Sequence, residues 1–349
     1  MREDVISHSK ETAEKPEWLQ DRLKWFKSLE FGIILHWGVY SFWDCCESWP
    51  LVPDCDWSRR DEIKCWTDRN KEIDLFQRDY KNLHRQFNPV QFEPDEWAGL
   101  FVESGAKYVC FTTKHHDGFC MWDTNTTEYK ITGEECPFHT NPNADVTKAL
   151  FDSCREKGLA ISVYFSKADW DCQYYWAKEP RPTSQTANTI NDPETWEKFV
   201  QFTHEQIREL MTNYGKIDIL WLDAGWVKDN EDIRMAEMVA MARELQPGLI
   251  VANRTVGDEF EDFVTPEREI PDEVLPETWE ACLPLGPDWK YVEGQLFKSA
   301  ETVFNEIQQT NQKGGNFLLG IGPKYDGSIT PENQEILREI GRLRMNSAR

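Results

Sequence analysis

The chain contains the stretch Tyr108-Val109-Cys110-Phe111-Thr112-Thr113-Lys114-His115-His116-Asp117-Gly118-Phe119. Its first half is a short apolar run of the kind that forms a buried strand, and two imidazoles and a carboxylate follow directly. In barrels of eight parallel strands, catalytic side chains project from the carboxyl ends of the strands. The stretch therefore predicts one strand of such a barrel, with functional side chains at its end.

The same order of strand and helix recurs along the chain. Short apolar runs predict strands at residues 31–37, 108–112, 159–165, 217–222, 249–253 and 315–321. Apolar residues at helical spacing predict helices near residues 95–104, 145–157, 195–214, 231–245 and 298–312. About seven such units are too many for an open parallel sheet with one switch point. We therefore predict a single α/β catalytic domain over residues 1–349, folded as a (β/α)8-like TIM barrel.

Two stretches depart from this alternation. Residues 44–90 are rich in Trp, Pro, Asp and Cys, and they predict a long loop insertion after the first strand. Residues 254–297 contain five prolines among many acidic residues, which predicts an irregular active-site loop or a degenerate strand. The irregular units of the barrel are therefore expected in its C-terminal half.

Composition limits the partners and the compartment. No apolar stretch reaches the eighteen or so residues that a membrane span requires, and the net charge of −23 repels nucleic-acid phosphates. We expect neither a membrane nor a nucleic acid as partner. The N-terminal residues lack the apolar core of a secretory signal, which predicts a cytoplasmic protein, or a secreted or periplasmic one if a leader has been removed.

The cysteines and tryptophans each allow a structural and a functional interpretation. The ten cysteines are scattered, and we expect most of them to be reduced and buried. The nearest group, Cys45, Cys46, Cys55 and Cys65, lacks the paired spacing of a zinc site. The sixteen tryptophans suit sugar rings with their flat faces, but tryptophan also fills protein cores.

Several strand ends carry side chains suited to catalysis. Asp223 closes the apolar run 219–222 and precedes two small residues, which is the position of a nucleophile or base in a barrel. His36 closes the first strand, as His115 and His116 close the next one. Imidazoles can bind sugar hydroxyls, but with a nearby carboxylate they can also bind zinc, and both interpretations stay open.

A second carboxyl group is expected from the acidic segment between residues 258 and 280. Glycoside hydrolysis needs two carboxyl groups, one that attacks the sugar or activates water and one that protonates the departing oxygen. The segment offers Glu259, Glu261, Glu267, Glu269, Glu273, Glu277 and Glu280. Spacing alone does not choose among them.

Five segments, in order along the chain, resemble the α-L-fucosidases of glycoside hydrolase family 29. They are residues 31–41, 87–89, 114–119, 221–223 and 315–319. The resemblance implies retaining hydrolysis of terminal α-L-fucosyl residues from glycans, without a metal ion or other cofactor. It also implies that Asp223 is the nucleophile. Many members continue into a C-terminal β-sandwich, whereas this chain is expected to be the catalytic domain alone.

The resemblance also suggests the residues of the sugar pocket. These are His36, His115, His116, Tyr164, Trp221, Arg254, Trp289 and, more loosely, Glu47. Glu267, in a Thr-Pro-Glu motif, resembles the acid/base residue of part of the family, and Glu280 is the second choice. The Ala224-Gly225 pair and the cysteine-rich stretch 44–65 differ from the common pattern, so the resemblance does not determine the leaving-group side or the linkage.

Two other functions remain open at this point. One is a metal-dependent barrel hydrolase with His36, His115, His116 and Asp223 as ligands. The other is a sugar-binding barrel protein that has lost its catalytic activity, because fold alone does not determine function.

Overall fold

The structure is a computed structural model, and it describes residues 15–43, 46–53, 55–58, 72–175, 191–254 and 256–347. Within these residues the strands are β1 (Phe31–Leu35), β2 (Tyr108–Lys114), β3 (Ala160–Ser166), β4 (Ile219–Asp223), β5 (Ile250–Asn253), β6 (Glu280–Pro284) and β7 (Asn316–Ile321). The helices are α1 (Glu17–Lys27), α2 (Ile73–Lys81), α3 (Pro94–Glu103), α4 (Val146–Glu156), α5 (Pro193–Asn213), α6 (Met235–Leu245), α7 (Ala300–Gln312) and α8 (Pro331–Ser347).

The seven strands form one parallel sheet in the order β5-β4-β3-β2-β1-β7-β6. The segment 262–268 lies between the two outer strands of this order. It pairs with β6 and the residue before it through the bridges Val264 to Trp279 and Glu267 to Cys282. On its other side the Asp262 N–H donates to the Val251 carbonyl of β5, over 2.9 Å. The sheet therefore closes into the predicted TIM-like barrel through an irregular eighth segment.

The segment 262–268 is irregular for reasons that the backbone explains. Pro266 has no N–H to donate, although its carbonyl still accepts a hydrogen bond from Cys282 over 3.0 Å. Arg268 has a φ of 60°, in the left-handed region, so the chain turns away after Glu267. The region 254–297 thus contains both this strand-like segment and the regular strand β6. The sequence analysis predicted an irregular loop or one degenerate strand there, and it did not predict β6.

Most of the predicted strands and helices form close to their expected bounds. The clearest difference lies in the stretch 44–90, where residues 73–81 form helix α2 rather than a loop. This helix is short and buries Phe76 and Tyr80 on one face, a signal that the surrounding tryptophans and prolines obscured. Cys45 and Cys65 lie outside the described residues, and the eight described cysteines are free thiols.

The barrel interior is closely packed beneath the carboxyl ends of the strands. Gly32 of β1 lies against the ring of Tyr108, where an added Cβ would come within 2.4 Å of the ring. The glycine therefore makes room for Tyr108, whose hydroxyl donates to Glu280 of β6 over 2.6 Å. Among the described residues, no helix is both long and apolar enough to cross a membrane.

Candidate active site

One pocket opens at the carboxyl ends of the strands and collects side chains from most of them. It is lined by Ile34, His36, Glu47, Trp49, His115, His116, Tyr164, Trp221, Asp223, Arg254, Glu267, Cys282 and Trp289. The parallel arrangement explains this convergence, because every strand ends on the same face of the barrel. Of the residues predicted for the site, Glu280 is the one outside this lining.

Arg254 connects the two carboxyl groups predicted for catalysis. Its Nη1 donates to Asp223 Oδ1 over 3.1 Å, and its Nη2 donates to Glu267 Oε2. The guanidinium also lies over the ring of Trp221, 5.3 Å from the ring centroid. Arg254 directly follows β5, and Glu267 belongs to the segment that closes the barrel. The two carboxyl groups therefore lie on the same side of the pocket, bound to one cation.

Asp223 is held as a carboxylate. Burial by itself would raise the pKa of this carboxyl, but the positive charge of Arg254, the nearby His116 and a hydrogen bond from the Tyr164 hydroxyl together outweigh burial. The pKa of Asp223 therefore lies well below its ordinary value. A buried carboxylate with both oxygens engaged by donors is fixed in position and available as a nucleophile.

Glu267 occupies a more open position than Asp223. Its side chain is 34% exposed, compared with 12% for that of Asp223. Its Oε1 accepts a hydrogen bond from the indole N–H of Trp289 over 3.1 Å. Glu267 is therefore oriented by two donors, Arg254 and Trp289, while part of it remains accessible to solvent.

Glu280 lies in the barrel interior, below the pocket. It is 1% exposed, and its two carboxyl oxygens accept hydrogen bonds from the Tyr108 hydroxyl and from the Trp221 indole N–H, the latter over 3.0 Å. Burial raises its pKa to about 7, against the effect of these two hydrogen bonds. Glu280 thus supports Trp221 from beneath.

The three histidines of the pocket are neutral. Burial lowers the pKa of His36 to about 3 and that of His116 to about 4, and it holds the pKa of His115 well below its usual range. His36 stacks on Trp289, with ring centroids 5.0 Å apart. Neutral imidazoles both donate and accept hydrogen bonds, which suits a ligand that carries several hydroxyl groups.

The 44–90 stretch contributes two residues to the pocket. Glu47 has a left-handed backbone (φ 42°) and is 3% exposed, and its Oε1 accepts a hydrogen bond from the Lys290 N–H over 3.3 Å. Burial raises the pKa of Glu47 to about 7, although the nearby Lys290 lowers it. Trp49 was missed by the sequence analysis. Its position two residues after Glu47 is the signal that could have identified it.

Aromatic rings enclose His116 on the outer side of the pocket. Trp170 and Trp226 each lie 5.1 Å from the His116 ring, and Trp49 lies 5.2 Å from it, measured between centroids. Trp49 also contacts Trp57, which is 42% exposed. These flat surfaces are suited to the apolar faces of sugar rings.

Three of the pocket residues also have the side chains of a possible metal site. His115, His116 and Asp223 offer ligand atoms that all lie within 4.8 Å of one another. However, Asp223 already binds the Arg254 cation and the Tyr164 hydroxyl, so a divalent ion would compete with a fixed positive charge. His36 does not belong to this group, although the sequence analysis had included it. The arrangement therefore suits an uncharged, hydroxyl-rich ligand better than a metal.

Sequence and structure comparisons point to one group of proteins. The family model described as Alpha-L-fucosidase matches residues 3–347. An alpha-L-fucosidase of Dictyostelium discoideum is 26% identical over 346 residues, covering 93% of this chain and 70% of that protein. The plasma alpha-L-fucosidase of Homo sapiens is 27% identical over 334 residues, covering 91% and 66% respectively.

A similar fold is found in the structure of alpha-L-fucosidase isoenzyme 1 from Paenibacillus thiaminolyticus. The TM-score is 0.77 at 28% sequence identity, and the match covers 94% of this chain and 76% of the other. The chain therefore spans roughly two thirds to three quarters of the length of these proteins.

Proposed function

The chain belongs to the alpha-L-fucosidase family of glycoside hydrolases, and we propose that it is a retaining exo-glycosidase that removes terminal α-L-fucosyl residues from glycans. The observation that carries the proposal is the pair of carboxyl groups on one guanidinium, Asp223 and Glu267 on Arg254, within a pocket of histidines and tryptophans. Two carboxyl groups on one sugar-sized site are what the double displacement requires.

In the first step, Asp223 attacks the anomeric carbon of the fucosyl residue. An ester bond forms between its carboxylate and that carbon while the bond to the departing oxygen breaks. Glu267 gives its proton to that oxygen, so the leaving group departs as a neutral alcohol. The low pKa of Asp223 keeps the nucleophile ionised for this step.

In the second step, water releases the sugar from Asp223. Glu267 takes a proton from the water while the water oxygen bonds to the anomeric carbon. The ester bond to Asp223 breaks, and Asp223 returns to a carboxylate. Arg254 serves both steps. It stabilises the Asp223 carboxylate before the attack, and once Asp223 is a neutral ester it stabilises the carboxylate of Glu267. The partial exposure of Glu267 gives the water a path to the base.

The pocket lining supports selectivity for fucose. Fucose carries a methyl group at C5 where galactose carries CH2OH, and Ile34, Trp221 and Cys282 supply apolar surface to the pocket. An apolar wall gains from the methyl group and would leave the extra hydroxyl of galactose without a hydrogen-bond partner.

Hydrolysis of an aryl α-L-fucoside tests the proposal, with the anomer of the first product identified by proton NMR. We expect α-L-fucose first, a much slower reaction on the matching α-L-galactoside, and unchanged activity after treatment with a strong chelator. β-L-Fucose as first product would contradict the double displacement. Loss of activity on chelation would favour the metal-dependent hydrolase, and fucose binding without turnover would favour the sugar-binding protein.

A further inference from the structure

The Nδ1 atom of His116 forms a hydrogen bond with a serine at the end of β3. The Nδ1 atom of His116 lies 2.7 Å from the hydroxyl oxygen of Ser166. That same hydroxyl lies 2.7 Å from the backbone carbonyl oxygen of Ala168. Ser166 is fully buried, so water does not replace either partner.

The protons of this group can be assigned by counting donors. A serine hydroxyl has one hydrogen, and a carbonyl oxygen can only accept. Ser166 therefore donates to Ala168, and towards His116 its oxygen can only accept. The hydrogen between them must belong to His116 Nδ1. Because burial lowers the pKa of His116 to about 4, the ring is neutral near pH 7 and Nε2 carries a lone pair.

The remaining contacts hold the ring in this orientation. The backbone N–H of Trp170 donates to the His116 carbonyl over 2.7 Å, so residues 166–170 contact both the ring and the backbone of His116. Trp170 and Trp226 flank the ring. Ser166 is also the direct neighbour of Asp223 in the pairing of β3 with β4, which places the serine beside the nucleophile.

His116 Nε2 faces Asp223 across the pocket. The distance from Nε2 to Asp223 Oδ2 is 3.8 Å, too long for a hydrogen bond. When the ring is neutral, Nε2 and Oδ2 are both hydrogen-bond acceptors, so neither atom can donate a hydrogen bond to the other. A ligand hydroxyl that enters beside Asp223 therefore meets a free acceptor on His116.

We propose that Ser166 is a positioning residue that fixes His116 in its Nδ1–H tautomer, so that Nε2 accepts a proton-donating hydroxyl of the sugar beside Asp223. The role in turnover rests on the fucosidase activity proposed above, whereas the tautomer itself does not. As positive charge develops at the anomeric carbon, nearby hydroxyls become better donors. The hydrogen bond to Nε2 should therefore strengthen in the transition state, and its loss should lower kcat more than it raises KM.

The tautomer can be measured on the unmodified protein. Long-range proton–nitrogen NMR of protein labelled with ¹⁵N-histidine distinguishes protonated from unprotonated ring nitrogens, and the spectrum of His116→Asn identifies the His116 signals. At pH 7 we expect a proton on Nδ1 and none on Nε2. A proton found on Nε2 would overturn the inference whatever the enzyme's activity.

The kinetic arm uses Ser166→Ala and fucosides that lack one hydroxyl each. Ser166→Ala should lower kcat for the parent aryl fucoside by about ten-fold, because the tautomer is no longer fixed and a buried donor loses its partner. For the one deoxyfucoside that lacks the donating hydroxyl, the variant should show little further loss. Equal losses on the parent and on every deoxyfucoside would indicate a purely structural role and overturn the inference.

Ser162→Ala provides the matched control. Ser162 is a buried serine on the same strand, four residues before Ser166, and it is not part of the pocket lining. We expect it to change kcat by less than about two-fold. If the unmodified protein cleaves no fucoside at all, the proposed function fails, and the NMR measurement still decides the tautomer.

Discussion

Asp223 and Glu267 reach the same guanidinium from two regions that differ in regularity. Asp223 ends β4, which pairs with a strand on each side and is buried along its whole length. Glu267 belongs to the segment 262–268, where Pro266 removes a donor and Arg268 adopts a left-handed backbone. The regular strand fixes its carboxyl through the sheet, whereas the irregular segment relies on side-chain contacts to Arg254 and Trp289.

This difference matches the two chemical roles. A nucleophile attacks one carbon and gains from being held rigidly by buried donors. An acid/base residue must meet the departing oxygen in one step and water in the next, so it needs access to solvent. The contrast predicts that changes at Asp223 affect every substrate, while changes at Glu267 depend on the leaving group.

Asp223→Gly should have the largest effect. Removing the nucleophile should lower turnover of an aryl α-L-fucoside by several orders of magnitude, on the order of the losses seen when a covalent nucleophile is deleted. Added azide can occupy the vacated space and attack the same carbon, so the variant should regain activity and form β-fucosyl azide. Product analysis by NMR measures this rescue.

The control for this variant is Asp258→Gly, which removes a carboxyl outside the pocket lining. Azide should not change its activity. If azide fails to rescue Asp223→Gly while the protein remains folded by circular dichroism, the nucleophile lies elsewhere.

Glu267→Ala should have the next largest effect, and only on substrates with poor leaving groups. Protonation by Glu267 matters when the departing oxygen is basic, so natural glycans should lose about 100-fold or more in kcat/KM. A fucoside with a strongly acidic phenol should lose little in that parameter, because its oxygen departs without a proton. The ratio of the two losses is the measurement.

Glu280→Gln is the comparison for this ratio. Glu280 lies below the pocket and contacts Trp221, so its replacement should change good and poor substrates by the same small factor. If the loss depends on the leaving group in Glu280→Gln and not in Glu267→Ala, Glu280 is the acid/base residue and Glu267 is not.

Arg254→Lys tests the link between the two regions. A lysine ammonium lacks the planar fork that contacts Asp223 and Glu267 at once, so it can serve only one of them well. We expect a loss of about 10- to 100-fold in kcat, with little change in KM. Steady-state kinetics on an aryl fucoside measures both parameters.

Arg268→Lys is the matched control. Arg268 lies over the outer face of Trp289, and its Nε is 3.9 Å from Glu267 Oε1. Its side chain is 39% exposed, so water screens its charge and a loss below about three-fold is expected. Equal losses at the two arginines would mean that Arg254 does not couple the carboxyl groups.

The same contrast shows which parts of the molecule the sequence could predict. The barrel and Asp223 follow from apolar runs that end in polar residues, because a buried parallel strand leaves that pattern in the sequence. The segment 262–268 leaves no such pattern, since Pro266 and its acidic neighbours are typical of a loop. The acid/base candidate was therefore predicted by family resemblance alone, and Trp49, in an irregular stretch with two short 3-10 turns, was not predicted at all.

The smallest effect is expected beneath the pocket, where Glu280→Gln should alter stability rather than chemistry. The glutamine oxygen can accept from the Trp221 N–H, and its amide can donate to Tyr108, whose hydroxyl also accepts. The fold and the position of Trp221 should therefore persist. Activity should change by no more than a few-fold.

The pH dependence of unfolding distinguishes this variant. Burial raises the pKa of Glu280 to about 7 from 4.5, so the folded state binds its proton more tightly than the unfolded state does. The stability that this proton supplies is present below about pH 4.5 and is lost as pH rises to about 7, for a total of roughly 3 kcal/mol. Glu280→Gln should remove this loss and make the free energy of unfolding fall less steeply with pH, as measured by urea titrations between pH 5 and 8. The control is the exposed Glu103→Gln, which breaks only a surface pair with Arg338 and should leave the pH dependence of the unfolding free energy unchanged. If Glu280→Gln also leaves that pH dependence unchanged, the pKa of Glu280 is not raised in the fold.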